Sequence, residues 1–172
     1  YPMLKKFSKL IFNLISLLDK IIFFLFDNRI LFWFSDFINN NFYSEFKLNK
    51  EKIIFFTPNF LTYWRSKNFL KKEPETIDWI DDFDKNSDIN FLDIGSNIGT
   101  FSLYAAKKFK NKINVYSLEP STSNLRVLSR NIFKNELNNI KILPFALSDE
   151  KKFQNFYESE FSEGSGLHNF GT

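Results

Sequence analysis

The spacing of apolar residues changes along the chain, and each pattern predicts a different kind of structure. Over residues 1–47, apolar side chains recur every three or four positions, as on one face of a helix. The positions are Phe7, Leu10, Ile11, Leu14, Ile15 and Leu18. The next part of the chain predicts three elements in order, which are a strand over 53–56, a turn over 57–59 and a helix over 75–80 beginning near Pro74.

From residue 89 onward, short apolar runs alternate with helical stretches. The predicted elements are a strand over 89–94, a glycine turn over 95–99, a helix over 100–109, a strand over 113–118, a helix over 121–134 and a strand over 140–143. Ser121 or Ser123 is the expected N-cap of the second helix. This β-α-β-α-β order predicts an α/β fold with a parallel sheet, carrying the N-terminal helical segment as an extension.

Candidate ligand-binding residues follow the predicted strands at their carboxyl ends, where sheets of this kind bind ligands. Gly95 and Gly99 allow the chain to turn sharply and to approach a ligand closely. The helix that starts near Thr100 points backbone N–H groups at this turn, which suits an anionic group. Glu119 ends the second strand, and a carboxylate there can accept hydrogen bonds from both hydroxyls of a ribose. Together these features indicate a cofactor that contains a nucleoside.

The spacing of the glycines in the turn distinguishes between classes of nucleoside-containing cofactor. The dinucleotide fingerprint is Gly-x-Gly-x-x-Gly, whereas this chain has Asp-x-Gly-x-x-x-Gly from Asp93 to Gly99, with Asn97 in place of the middle glycine. This argues against NAD or FAD. A phosphate-binding loop is excluded because no Gly-Lys-Ser/Thr follows the turn.

The chain resembles the FkbM family of S-adenosylmethionine-dependent methyltransferases. Four segments carry the resemblance, which spans about residues 57–172: Phe91–Ser102, Val115–Ser121, Ala146–Asp149 and the lead-in Trp64–Trp79. It implies a Rossmann-like class I methyltransferase sheet, S-adenosyl-L-methionine as cofactor, and methyl transfer to the hydroxyl of a sugar, glycan or other small molecule. The acceptor itself, the general base and the oligomeric state are not predicted.

The resemblance also implies roles for ten residues. The methionine part of the cofactor would be held by Asp93, Gly95, Ser96, Asn97 and Gly99. The nucleoside would be held by Glu119 on the ribose hydroxyls, Pro120 shaping the turn, Ala146 and Leu147 flanking the adenine, and Ser148 approaching it. The residues leave a plainer alternative, in which Asp93 caps the following helix and Glu119 is an exposed acid at a strand end.

The same resemblance predicts that the chain is incomplete at its C-terminus. In the family's fold a fourth strand pairs with the first, here 89–94, and no such segment follows. We expect residues 152–161 to form part of a hairpin over the site, and this chain alone to bind cofactor weakly or not at all. The predicted divisions are an extension over 1–56, a lead-in helix region over 57–88 and the methyltransferase domain over 89–172.

The N-terminal segment is apolar but interrupted by charge. Its longest stretch without a formal charge is 10–18, too short for a membrane-spanning helix. We expect a helix packed on the rest of a cytoplasmic protein. Lys5, Lys6 and Lys9 lie near the apolar positions, and the alternative is a helix lying on an anionic membrane surface.

Composition excludes several functions. The 172 residues include no Cys and a single His, so thiolate chemistry and Cys- or His-rich metal sites are ruled out. The balance of 23 basic and 20 acidic residues gives no footprint for nucleic acid. The acidic run Asp81, Asp82 and Asp84 is expected to be a polar loop, with no metal site.

Five other residues receive structural interpretations. His168 is expected in a solvent-facing loop, and Trp64 and Trp79 in the core. Arg65 and Glu73 are candidates for the cofactor entrance, although a structural role is favoured for both. Two competing functions stay open, namely a dinucleotide or nucleotide-sugar enzyme and a non-enzymatic interaction or membrane-associated module.

Overall fold

The computed structural model describes residues 2–48, 51–150, 153–158, 160–166 and 168–170. The chain divides into two compact units, Tyr1–Phe42 and Tyr43–Thr172.

The first unit contains two helices, α1 (Pro2–Phe26) and α2 (Ile30–Asn41). The helical structure predicted from the spacing of apolar residues is therefore confirmed in this unit. The fully buried carboxylate of Asp19 joins the two helices, because it pairs with Arg29 Nε at 3.2 Å and accepts the Leu31 N–H at 3.1 Å. Within the described residues, no helix combines the length and apolarity needed to cross a bilayer.

The second unit begins with an antiparallel hairpin, β1 (Tyr43–Leu48) and β2 (Glu51–Phe56), in which Tyr43 lies opposite Phe56. The sequence pattern predicts a strand only at 53–56 and places residues 1–56 in the extension. In the structure, the hairpin belongs to the second unit because Ile53 and Phe55 are fully buried in its main core.

Side chains of a later helix cover one edge of the hairpin. Asn131 accepts the Phe56 N–H at 2.6 Å, and Asn135 both accepts the Ile54 N–H and donates to the Ile54 carbonyl. These amides satisfy backbone groups that an edge strand would otherwise leave unpaired.

Two helices follow the hairpin, α3 (Phe60–Lys72) and α4 (Pro74–Asp81). Asn59 and Thr62 form a reciprocal capping box at the start of α3, and Pro74 stands in the first turn of α4, as predicted. Asp81 is more than a solvated loop residue, because it accepts the Tyr104 hydroxyl at 2.7 Å and pairs with Lys108.

A parallel sheet with helical crossovers forms the centre of the second unit. Its elements are β3 (Ile89–Ile94), α5 (Thr100–Phe109), β4 (Ile113–Leu118), α6 (Thr122–Lys134) and β5 (Ile140–Leu143). All pairs are parallel in the order β3-β4-β5, with Asp93 beside Ser117 and Ser117 beside Ile142. The prediction of an α/β, Rossmann-like half sheet is confirmed, and Ser121 caps α6 by accepting the Asn124 N–H.

The core lies between this sheet and the elements that cover it. Leu103 and Ala105 of α5, Val115 of β4 and Leu128 of α6 are fully buried there. In the described residues β3 pairs only with β4, and Leu92 and Ile94 on this edge strand are 48% and 55% exposed.

The expectation that two tryptophans lie in the core is wrong. Trp64 is 39% exposed and Trp79 is 56% exposed. Trp79 packs only its inner side against the Phe83 and Phe91 rings, because α4 lies at the surface of the unit.

A short antiparallel pairing joins β6 (Phe156–Tyr157) to β7 (Asn169–Phe170). Of these strands, β6 lies within the segment 152–161 expected in a hairpin, whereas β7 lies beyond it. Residues 152 and 159 lie outside the described residues.

Candidate functional site

The turn between β3 and α5 is anchored to the end of the neighbouring strand. The N–H groups of Gly95 and Ser96 both donate to the Leu118 carbonyl at 2.9 Å. Three of its residues have positive φ, with values of 71° at Gly95, 53° at Asn97 and 83° at Gly99. The turn therefore needs residues that tolerate the left-handed region, which glycine and asparagine do.

The two glycines of this turn meet different surroundings. A Cβ built on Gly95 would have no heavy atom within 4 Å, so this position opens onto free space. A Cβ on Gly99 would come within 2.8 Å of the Leu103 side chain and would also collide with Leu128. Gly95 therefore leaves room for a ligand, whereas Gly99 allows α5 and α6 to pack closely.

Glu119 is the buried centre of the site. It is only 3% exposed, so the alternative of an exposed strand-end acid is wrong. Its Oε2 accepts the Asn97 N–H at 2.7 Å, and its Oε1 accepts the Ser121 N–H at 2.9 Å and the Asn124 amide at 3.4 Å. A carboxylate offers about four acceptor positions, so these bonds leave about one for a ligand hydroxyl.

Asp93 lies at the end of β3 and is also buried. Its Oδ2 accepts the Ser102 hydroxyl, whose oxygen is 2.6 Å from the Ser117 hydroxyl. Because Ser102 has one hydroxyl proton and gives it to the carboxylate, Ser117 must donate to Ser102. The bond to Ser102 ties Asp93 to the first turn of α5, which agrees in part with the capping alternative.

Burial raises the pKa of Asp93 to about 6. The hydrogen bonds from Ser102 oppose this shift, and the charges of Glu119 and Glu73 add to it. Asp93 therefore changes protonation near neutral pH, and a cation placed beside it would favour its charged form.

Two adjoining cavities open at the carboxyl ends of the strands. The first, of about 320 Å³, is named here the Glu119 cavity and is lined by Glu119, Pro120, Phe145, Ala146, Leu147, Phe156, Gly166 and His168 among others. The second, of about 270 Å³, is named the Arg65 cavity and is lined by Trp64, Arg65, Lys72, Glu73, Asp93, Ser96 and Thr100 among others. Ile94, Gly95 and Asn97 line both cavities.

The ten predicted residues are therefore mostly brought together. Eight line one cavity or both, namely Asp93, Gly95, Ser96, Asn97, Glu119, Pro120, Ala146 and Leu147. Gly99 lines neither, because it faces the side chains of α5 and α6. Ser148 also lines neither, and its hydroxyl donates to Asp149 in an exposed loop.

Residues 162–166, called the strap here, cross between α3 and α6 beside the site. The Ser165 carbonyl accepts the side-chain amides of Asn97 at 2.6 Å and Asn124 at 3.1 Å. The Gly164 N–H donates to Asn124, and its carbonyl accepts from Arg65 Nε. The sequence pattern gives this segment no role, whereas in the structure Gly166 lines the Glu119 cavity and the Gly164 carbonyl holds Arg65.

Arg65 and Glu73 carry charge into the second cavity. Burial lowers the pKa of Arg65, while the charges of Glu73 and Glu119 oppose that shift. Arg65 thus has two roles, since it holds the strap through Gly164 and presents a cation to the cavity. Both residues, candidates for the cofactor entrance from the sequence, line the Arg65 cavity.

His168 is placed differently from the expectation of a solvent-facing loop. It is half-buried, lines the Glu119 cavity, and packs against the Phe156 ring with centroids 5.4 Å apart. The β6–β7 pairing brings His168 next to Phe156. The two residues are 12 positions apart, and no local sequence pattern indicates their contact.

A wider opening than these two cavities lies at the other end of the sheet. Its volume is about 1140 Å³, and it borders Ile113, the first residue of β4. Two ion pairs, Lys52 with Glu45 and Lys110 with Glu51, occupy its rim. Ligands of such sheets bind at the opposite, carboxyl end. No group of metal-ligating side chains occurs in the part of the chain that the structure describes.

No protein-family model matches the chain, and no curated protein matches it. Among solved structures, it is similar to a SAM-dependent methyltransferase from Aquifex aeolicus, with 19% identity, a TM-score of 0.38, and coverage of 52% of this chain and 48% of that one. It is also similar to TYW2 of P. horikoshii in complex with MeSAdo, with 13% identity, a TM-score of 0.38, and coverage of 62% and 37%.

A third similar structure is the N-terminal domain of human METTL16 in complex with SAH, with 18% identity, a TM-score of 0.35, and coverage of 63% and 40%. The chain spans less than half the length of each of these three structures.

Proposed function

We propose that the chain carries the cofactor-binding half of an S-adenosylmethionine-dependent methyltransferase. The observation that carries the proposal is the position of Glu119. A buried carboxylate ends the second strand of a parallel sheet, beside a turn that opens at Gly95. This arrangement suits a nucleoside-containing ligand at the carboxyl edge of the sheet.

The Glu119 cavity fits the adenosine part of the cofactor. Glu119 has about one acceptor position left for a ribose hydroxyl. Pro120, Ala146 and Leu147 supply apolar surface on which an adenine ring can pack. The Phe156 ring and His168, which pack against each other, add aromatic surface to the same cavity.

The Arg65 cavity fits the methionine part. The amino acid end of the cofactor carries a carboxylate and an ammonium group, and the cavity offers both complementary charges. Arg65 suits the carboxylate, whereas Glu73 and Asp93 suit the ammonium. The shared wall at Gly95 and Asn97 would let a single ligand occupy both cavities.

Asn97 favours this cofactor over a dinucleotide. In the dinucleotide fingerprint, glycine at this position lets the backbone approach the pyrophosphate. Here the Asn97 side chain fills the position and donates to Ser165 on the strap. The backbone is thus covered where a pyrophosphate would need to approach.

At the finer level, we assign the chain to the FkbM family and its reaction to O-methylation of a sugar, glycan or other small hydroxyl acceptor. Support comes from the motifs over 91–102, 115–121 and 146–149. When bound, the cofactor supplies an electrophilic methyl group. The described residues contribute by holding and orienting it, and such positioning accounts for much of the rate in bimolecular transfer. No described residue is assigned as the base.

Isothermal titration of S-adenosylhomocysteine into the full-length gene product tests the proposal. We expect binding that Glu119→Gln weakens by at least tenfold, because the new amide would set an N–H donor against the donors of Asn97 or Ser121. Glu75→Gln, on the exposed side of α4, is the matched control and should bind as the parent does. Equal binding by both variants, or none by a folded parent, would contradict the proposal.

A further inference from the structure

The first unit carries an amphipathic surface that the proposed function does not use. Helix α1 has two opposite stripes, each following steps of three or four residues. The apolar stripe consists of Met3, Phe7, Leu10, Leu14, Leu18, Ile21 and Leu25. The polar stripe consists of Lys5, Lys9, Asn13, Ser16 and Lys20, with Lys6 beside it.

The apolar stripe is exposed. Its seven side chains have between 47% and 79% of their surface exposed. Helix α2 adds further exposed apolar and aromatic side chains, namely Phe32, Trp33, Phe34, Phe37 and Ile38. An apolar surface spread over two consecutive helices is a mark of an interaction site.

The charges of α1 point to one kind of partner. Its only acid, Asp19, is fully buried and neutralised by Arg29. The exposed charges of the helix are therefore four lysines, at positions 5, 6, 9 and 20. A helix with lysines on its polar face and leucine and phenylalanine on the other lies in the interface of an anionic bilayer. Aromatic side chains such as Trp33 favour the same depth.

From these observations we propose that the first unit docks on the surface of an anionic lipid membrane. Helix α1 lies along the interface, with its apolar stripe in the acyl boundary and its lysines at the headgroups. The Asp19–Arg29 pair keeps α2 against α1, so that Phe32 and Trp33 enter the interface together with it. The proposal is independent of the proposed methyl transfer.

Flotation of the full-length protein with vesicles tests the docking. One vesicle preparation is neutral phosphatidylcholine, and the other contains about one third phosphatidylglycerol. We expect the protein to bind the vesicles that contain phosphatidylglycerol, and added salt should weaken this binding. The double variant Lys6→Gln/Lys9→Gln should bind them with about 25-fold lower affinity, since one lysine near such a surface contributes about fivefold. The control Lys71→Gln/Lys112→Gln removes the same charge from exposed positions of the second unit and should bind as the parent does.

A second variant tests the apolar stripe, with helix content followed by circular dichroism. Leu10→Ser/Leu14→Ser should release the protein from anionic vesicles while both units stay folded. The proposal would be overturned if the lysine variant bound anionic vesicles as tightly as the parent does. Equal affinity of the parent for neutral and anionic vesicles would also overturn it. No flotation together with concentration-dependent dimerisation would instead identify a second copy of the chain as the occupant and would also overturn it.

Discussion

The backbone N–H of Asn97 donates to Glu119 Oε2 over 2.7 Å, so the turn after β3 is tied to the end of β4. The Asn97 side chain in turn donates to the Ser165 carbonyl on the strap. One residue thus connects the strand-end carboxylate, the glycine turn and a segment 68 positions away. The shape of the proposed cofactor site depends on this connection.

Replacing Asn97 should separate its two contributions. Asn97→Ala loses the bond to Ser165 and places alanine at a φ of 53°, so unfolding free energy should fall by about 2–3 kcal/mol. Asn97→Gly loses the bond but relieves the backbone, and about 1 kcal/mol of loss is expected. Urea denaturation measures both. Equal losses would contradict the role given to the backbone conformation.

The two glycines of the turn should differ in what their substitution damages. Gly99→Ala forces a methyl group against Leu103 and Leu128 and should cost about 2–4 kcal/mol of stability. Gly95→Ala meets open space, so only the cost of its φ of 71° is expected, about 1 kcal/mol, together with loss of cofactor binding. Since both positions share positive φ, each variant is the control for the other. Greater instability in Gly95→Ala would refute the assignment.

Asp93 should make the fold less stable as pH rises. Its pKa is about 6 in the folded protein and about 3.9 in an unfolded chain, so the folded state holds the proton more tightly. Its contribution is full below about pH 4 and is lost as pH rises through about 6, with a total of about 3 kcal/mol. Asp93→Asn removes this titration. Denaturation of both proteins at pH 4.5 and 7.5 should show a smaller fall in the variant, and parallel falls would be inconsistent with a raised pKa.

Arg65 should matter for one half of the ligand only. Arg65→Met removes the cation proposed for the methionine carboxylate, so S-adenosylhomocysteine should bind at least tenfold more weakly. 5′-Methylthioadenosine has the same nucleoside but no amino acid end, and its affinity should change little. Lys71→Met, on an exposed face of α3, is the control. An equal loss of affinity for both ligands would contradict this role and would mean that Arg65 acts through the strap alone.

The central sheet could be predicted from the sequence because its signals are local. The strand at Ile89–Ile94 ends at Gly95 and the helix at Thr100–Phe109 begins after Gly99, and each shows its own period, so their predicted bounds agree with the structure. Strand β1 was missed although Phe46 and Leu48 alternate with polar residues. It directly follows a long helical pattern, and six residues give a weak period of their own.

The rest of the site depends on contacts between distant parts of the chain. Nothing near Ser165 indicates that its carbonyl meets Asn97 and Asn124, and nothing near His168 indicates its contact with Phe156. The partners of the buried Glu119 likewise come from the glycine turn and the start of α6, namely Asn97, Ser121 and Asn124. The sequence therefore predicted eight residues that line the two cavities, while the contacts between distant segments required the tertiary structure.

The most direct test of the account compares two ligands on the full-length protein. S-adenosylhomocysteine and NAD⁺ are titrated separately by calorimetry into the parent protein. The account predicts binding of S-adenosylhomocysteine by the parent and none of NAD⁺. Binding of NAD⁺ by the parent with indifference to S-adenosylhomocysteine would contradict it.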